Sequence, residues 1–407
     1  MQQKGAWGMP AISWASLDWE QQPLWQHRDP LASHRARQRN TGEFKSAVTP
    51  RIAEQTPQLS PQLHTLVQDC TRTITCFDEQ HATLGGVPFA AVLLRGESAS
   101  SSQIENLTVS ARRLSLAVVG ASSSAVGHNA ELVARNVRAM QAALGVAESL
   151  TIESIMHMHH ELTAGTLDDA GKFRQQWVWV GGQSPVTADY VAPHWKLVPA
   201  AMNDLVEFLA RRDLDPLVQA AIAHAQFETV HPFTDGNGRT GRALISALLM
   251  ARGVTKHVVL PISSGLLHDV ADYIAALTAY RAGDVEPMIR CFIQASNAAV
   301  ENARILAEDL SGLRDKILGT ARRTTSALKA VADFCCTEPA FTVQMVEQNT
   351  SVAPATIYRI ITTLEKAGVI RREKTFVLGQ RVWTVPHLND ALDAFAARAG
   401  RRVVHPD

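Results

Sequence analysis

A chain of 407 residues, 46% hydrophobic and 19% charged, has the ordinary make-up of a globular protein and is long enough for two or three domains. Lys+Arg and Asp+Glu both total 39, so no overall field draws it to nucleic acid or to a membrane, and any such preference has to be local. Five cysteines without metal-site spacing, no apolar leader in residues 1–7 and no run near eighteen apolar residues predict a cytoplasmic protein without membrane contact.

Residues 1–45 carry Trp7, Trp14, Trp19 and Trp25 among polar and proline-containing sequence, the pattern of an extended arm pinned to a core by its indoles. The basic run at 34–39 reads as a solvated face. Leu63, Leu66, Val67 and Cys70 recur at helical spacing and predict a helix from Ser60 to Cys76. Gly85-Gly86 interrupts, and a further helix with Ala90, Val92, Leu93 and Leu94 starts near Pro88. The front end is therefore expected to be helical. Ser101-Ser102-Gln103-Ile104-Glu105-Asn106 reads by itself as a polar, solvent-facing helix with one glutamate.

Residues 128–145 form an amphipathic helix ending at Gly145, and residues 151–162 form another. His157 and His160 in the latter leave a metal site incomplete, since His160-Glu161 lacks the second histidine of a zincin. Between Gly171 and Gly182, aromatic and β-branched residues predict a strand or hairpin, the one clear β signal before residue 340. Met202 to Arg212 make a short helix.

The most informative stretch is His231-Pro232-Phe233-Thr234-Asp235-Gly236-Asn237-Gly238-Arg239-Thr240-Gly241-Arg242. Asp215-Pro216 supplies an N-cap and first helical residue, and the helix that follows should end near Val230. Pro232 disfavours a helical backbone at His231, so the imidazole is presented at the start of a loop, where it can serve as a base. Gly236-Asn237-Gly238 lets backbone N–H groups converge on an anion at the start of a second helix, whose dipole is positive at that end. Arg239 and Arg242, three apart, share a face of its first turn and suit more than one phosphate. Asp235 then offers a hard oxygen to Mg²⁺ shared with those phosphates.

Gly236-x-Gly238-x-x-Gly241 also meets the dinucleotide-binding glycine pattern. It is set aside because a helix precedes it and no acid follows about 20 positions later. The chain has no P-loop, and the bland alternative is a helix-loop-helix turn with a buried histidine.

Beyond it, 272–282 and 287–300 read as helices. From about Arg322 the composition changes, and residues 352–370 look like a helix-turn-helix whose recognition helix stops at Gly368, followed by two strands of a wing at 371–374 and 382–385. Nine Lys/Arg face five Asp/Glu between 321 and 385, mild support for DNA binding, with protein contact equally open.

The stretch at 231–242 resembles the Fic signature at every fixed position, continuing upstream through His224-Ala225-Gln226-Phe227-Glu228 and loosely over 101–300. The resemblance implies a mainly α fold, a Fic-type helical bundle with a short β-hairpin flap, here joined to a C-terminal winged helix-turn-helix domain. It implies transfer of AMP from ATP to a Ser, Thr or Tyr hydroxyl of a protein, or of the chain itself. His231 is then the base, Asp235 the Mg²⁺ ligand, and Phe233, Gly236, Asn237, Gly238, Arg239, Arg242 and Tyr273 the nucleotide contacts, with a core role for Tyr273 equally open. Gln176, Trp177, Val178 and Trp179 fall in the flap that docks the target. Ser101, Glu105 and Asn106 match the inhibitory Ser/Thr-x-x-x-Glu-Gly/Asn pattern, with Glu105 restraining the reaction through Arg242.

The expected division is a helical arm region at 1–100, a Fic catalytic domain at 101–300, a linker helix at 301–320, a winged-helix domain at 321–386, separable near Ser311, and a tail at 387–407. A DNA-binding transcriptional regulator with a nucleotide-sensing Fic module is the alternative. A homodimer, and the target's identity, are left open by the sequence.

Overall fold

In the computed structural model, which describes residues 14–27, 29–84 and 87–400, the tryptophan-rich arm is β-structure. Strand Asp18–Trp25 pairs antiparallel with Gly42–Val48, from Asp18 opposite Val48 to Trp25 opposite Gly42, with an irregularity between Gln22 and Trp25. This corrects the expectation of no β signal before residue 171, whereas the helices expected beyond Ser60 are present as Pro61–Gln80 and Ala90–Ile104. Asp18–Trp25 has a proline and no β-branched residue, so its composition hides a strand that cross-strand pairing stabilises. Trp14 is buried against Tyr280, and Trp25 packs edge-on to Phe44 and Trp179, while Trp19 stays half exposed. Trp7 and Gly85-Gly86 lie outside the described residues.

The chain divides into two compact units: the described residues of 1–69, 142–252 and 271–293, and those of 70–141, 253–270 and 294–407. Each gathers stretches distant in sequence, so neither coincides with the blocks bounded at 100, 300 and 320.

Helices Ile152–Thr163, Val198–Ala210, Pro216–Val230 and Asn237–Ala251 belong to the first unit. Asp215 caps the third by accepting the N–H of Leu217 at 2.8 Å and of Val218 at 3.4 Å, with Pro216 at the first helical position. Residues 217–230 are all buried, so this helix forms the middle of the unit and its polar side chains need partners inside. The expected flap is shorter than its sequence suggests. Only Trp179–Val180 forms strand, paired with Tyr190–Val191 over a small core of Leu17, Ala47, Val178, Tyr190 and Ala192.

The second unit contains Ala90–Ile104, Ala111–Val118 and Ile262–His268. Residues 101–106 are not a separate solvent-facing helix. Ser101 and Ser102 lie fully buried in the last turns of Ala90–Ile104, Glu105 is its C-cap and Asn106 turns the chain at φ 61. Later come Ser326–Thr337, strand Ala340–Thr342, Val343–Thr350, Pro354–Lys366 and the hairpin Arg371–Val377/Gln380–Thr384. Gln380–Thr384 is the middle strand, with Ala340–Thr342 on its other side. Together these make a module of three helices and a three-stranded antiparallel sheet.

Its core does not close on itself. Ala340, Val377 and Val382 share an apolar cluster with Leu116, Val126 and Ala130. The last helix, Pro386–Arg398, lays Phe395 against Gly96, takes the Ala111 N–H on Asp393 at 2.7 Å and receives the Ser115 hydroxyl on Asn389 at 2.8 Å. A cut near Ser311 would bare these surfaces, contrary to a freely separable tail. Among the described residues no helix is long and apolar enough to cross a membrane.

Candidate active site

His231 sits where helix Pro216–Val230 stops. Its backbone is left-handed (φ 50, ψ 61), which costs of order 1–2 kcal/mol for a residue with a Cβ, and its N–H donates to the Phe227 carbonyl at 2.9 Å. The helix ends where Pro232 requires it, though through a left-handed residue rather than an extended one. Nδ1–H donates to the Glu228 carbonyl at 3.3 Å, and the Glu228 carboxylate lies 3.9 Å from the same nitrogen. Because a carbonyl can only accept, the proton is on Nδ1 and the basic lone pair on Nε2.

Arg174 secures this strained residue. Its fully buried guanidinium donates Nε–H to the His231 carbonyl at 2.8 Å, and its other nitrogens reach the carbonyls of Gln176 (2.9 Å), Pro193 (2.6 Å) and Val230 (3.4 Å). The Arg174 N–H donates to the Pro232 carbonyl at 3.0 Å. Burial lowers the guanidinium to about 10, so it remains a cation at neutral pH and faces the negative end of the helix dipole.

The turn is built on a stacked pair. Phe233 is fully buried, its ring 3.7 Å from that of His159 and within 3° of parallel. His159 accepts the Gly171 N–H at Nδ1 (2.9 Å) and donates Nε2–H to the Asp235 carbonyl (3.0 Å). Burial, above all other influences, holds it down to about 4, so it is neutral with a single tautomer. Asn237 closes the turn from the other side: its Oδ1 accepts the Phe233 N–H and its Nδ2 donates to the Phe233 carbonyl, both at 2.9 Å.

Several expected nucleotide contacts therefore have their side chains spent inside the protein. Phe233 and Asn237 build the turn, and Tyr273 is 5% exposed with its hydroxyl 2.7 Å from His224 Nε2. Burial first, and then the Arg242 charge, push His224 down to about 3. At the turn itself Asp235 is open, its carboxylate 69% exposed, and Gly238 is half-buried, while Gly236 and Arg239 are buried. Arg242, one turn deeper, is 1% exposed. Asp235 takes the Gly236 N–H at 2.6 Å and lies 3.7 Å from the Arg239 guanidinium.

Gly236 caps Asn237–Ala251 at φ 79, a conformation that favours glycine. Gly241 has a different reason: a Cβ there would come within 2.9 Å of the Phe227 ring and 3.2 Å of the Glu228 carboxylate, so the two signature helices touch at this point. The turn leads into the N-terminus of Asn237–Ala251, where the helix dipole is positive, a setting that suits an anion. Among the described residues no group of three His, Cys, Asp or Glu could hold a metal. One exposed carboxylate suits a Mg²⁺ whose remaining ligands are phosphate oxygens and water.

In the flap, Trp177 stacks edge-on to Phe44, His194 and Trp195, Val178 is buried and Gln176 is exposed with its carbonyl taken by Arg174. Ser101, Glu105 and Asn106 belong to the second unit, Ser101 buried and the other two exposed.

Sequence reasoning missed His159 and Arg174. Ile155, Met158, His159 and Leu162 lie on the buried face of Ile152–Thr163, so helical spacing could have separated His159 from its exposed neighbours His157 and His160. Arg174 carries no such signal, because carbonyls as partners leave no mark in a sequence.

Residues 149–249 match the Fic/DOC family, and the chain carries a Fic domain. It is 35% identical over 156 residues to Protein adenylyltransferase fic-1 of Caenorhabditis elegans, 38% of this chain and 28% of that protein. Protein adenylyltransferase Fic of Nematostella vectensis is 30% identical over 159 residues, 38% of this chain and 34% of that protein. The chain thus spans about a third or less of the length of these relatives. The crystal structure of a Fic family protein from Desulfovibrio desulfuricans G20 superposes with a TM-score of 0.52 at 20% identity, covering 83% of this chain and 98% of that one, a likeness of fold.

Proposed function

We propose that the chain is a protein adenylyltransferase, moving AMP from ATP to Ser, Thr or Tyr hydroxyls of a target protein and of itself. The observation that carries this reading is the placement of His231, its Nδ1 3.3 Å from the Glu228 carbonyl so that Nε2 is left to act as base, beside a helix N-terminus bearing Arg239 and an exposed Asp235. A hydroxyl ionises far above pH 7, so its oxygen attacks the α-phosphorus as Nε2 removes the proton, and the bond to pyrophosphate breaks. Arg239, Arg242 and the helix N–H groups receive the β- and γ-phosphates. Asp235 would hold Mg²⁺, which when bound supplies charge neutralisation on the leaving pyrophosphate.

The outer edge of Trp179–Val180, paired among the described residues with Tyr190–Val191 alone, offers backbone groups to an extended target segment. Ser101, Glu105 and Asn106 support a restraint in which Glu105 limits transfer. Residues 321–386 are read as a winged-helix module on their element order. Free Cys76, Cys335 and Cys336 suit a reducing cytoplasm.

The test is label transfer from α-labelled ATP. His231→Ala should lower it by about 10²- to 10⁴-fold, Asp235→Ala should raise the Mg²⁺ requirement, and Glu105→Gly should increase transfer, including onto the chain itself. A folded His231→Ala protein working at the unaltered rate overturns the reading.

A further inference from the structure

The second unit has a surface that the transfer reaction does not use. Helix Pro354–Lys366 buries Ile357, Ile360, Ile361 and Leu364 and exposes Tyr358, Arg359, Thr362 and Lys366. Beside it the hairpin exposes Arg371, Arg372, Lys374 and Arg381, and a groove of about 740 Å³ runs between helix and hairpin.

By sequence, nine Lys/Arg and five Asp/Glu lie between 321 and 385, a modest excess. The structure changes that balance. Asp333 pairs with Arg314 at 2.6 Å, Glu338 with Arg95 at 2.5 Å, and Glu373 takes Arg112 Nε–H at 2.9 Å. All three arginines come from outside residues 321–385. Two carboxylates are left to oppose nine cations, and one of these, Glu365, is paired with Arg372 at 3.0 Å. Glu373 is the telling case, because it stands in the hairpin between Arg372 and Lys374, where an open carboxylate would repel a phosphate. It is buried, and Arg112 and the Thr384 hydroxyl hold its charge below the usual carboxylate range against the opposing effect of burial.

We propose that this face binds double-stranded DNA, with helix Pro354–Lys366 in the major groove and the hairpin along the adjoining backbone. The helix is long enough to lie in the groove, its exposed side carries two cations and hydrogen-bonding Thr362 and Tyr358, and the hairpin adds four cations within reach of phosphates. A protein partner for the same groove would draw on exposed Tyr358 and Phe376, but an interface core is depleted in charge, and this face carries six cations, Arg359, Lys366, Arg371, Arg372, Lys374 and Arg381, against the two carboxylates Glu347 and Glu365, the latter paired with Arg372. Charge complementarity selects the polyanion.

The experiment is fluorescence anisotropy of the full chain with a labelled random-sequence duplex of about 30 base pairs, across a salt series. The expected result is retention that weakens with salt, log affinity falling by about 0.9 per phosphate neutralised for each unit of log salt. Arg359→Ala and Lys374→Ala should each reduce that slope by about 1, whereas Arg304→Ala, outside the face, should not. Arg112→Ala should weaken binding by exposing the Glu373 charge, and Arg112→Ala with Glu373→Gln should recover it, which separates charge from any loss of fold. No retention at low salt, a salt-independent affinity, or equal binding by an Arg359→Glu, Arg381→Glu protein would overturn the proposal.

Discussion

The turn at 231–242 and the segment at 101–106 both place their chemistry on a few polar side chains, yet they are held in opposite ways. The turn is braced from close by: Glu228, Asn237, Arg174 and His159 all lie between residues 159 and 237 and inside one unit. The glutamate segment depends on remote chain. Asn136 holds Ser102 and the Ser98 carbonyl, Gln103 reaches the Gly400 carbonyl 297 residues away, and Asp393 and Asn389 hold the helix that follows. A self-braced turn survives changes elsewhere, whereas a segment placed by the C-terminal helix moves when that helix is disturbed.

The largest expected effect comes from removing the tail. A chain ending at Leu310 loses Ala340, Val377, Val382 and Phe395, leaving Leu116, Val126 and Gly96 without cover. It should aggregate or show cooperative loss of helix by circular dichroism, and a soluble, fully folded truncation would remove the contrast.

Within the self-braced unit, Arg174→Met should bring the next largest change. Four carbonyls lose their donor and the left-handed His231 loses its clamp; a displacement of about 1 Å costs roughly 10²-fold in rate. The fall should be in kcat, with KM for ATP little altered. An unchanged kcat with a lowered Tm would reduce Arg174 to a purely structural residue.

Acid acts on the same unit. His159 and His224 are held neutral, near 4 and near 3, against an ordinary value of about 6.5. Below pH 6.5 the unfolded chain therefore binds more protons than the folded one, and stability declines as pH falls from about 6.5 toward 4. At about 1.4 kcal/mol per pKa unit this amounts to a few kcal/mol. Urea denaturation at pH 7 and pH 5 measures it, and His159→Gln should flatten the difference. The same slope in His159→Gln would exclude that ring as its source.

The smallest effect tests the remote brace. Asn389→Ala removes the acceptor of the Ser115 hydroxyl and the donor to the Pro339 and Val385 carbonyls, a cost of about 1–3 kcal/mol. Transfer should rise, by less than with Glu105→Gly, and not at all when Glu105→Gly is already present. Additive increases from the two changes would show that Asn389 acts elsewhere.

What the sequence determined by itself is local. Asp215-Pro216, Pro232 and Gly236 act on the backbone within four residues, so the helices Pro216–Val230 and Asn237–Ala251 and the turn joining them were legible from the string of residue types. The module's helices and hairpin were legible for the same reason. What only the tertiary structure decided are the partners: Phe233 on His159, Tyr273 on His224, Arg174 among carbonyls, the strand Asp18–Trp25 against Gly42–Val48, and three arginines that silence the module's acids. These contacts join residues from 17 to more than 200 positions apart, and they follow from burial and charge compensation in three dimensions, to which helical or strand periodicity is blind.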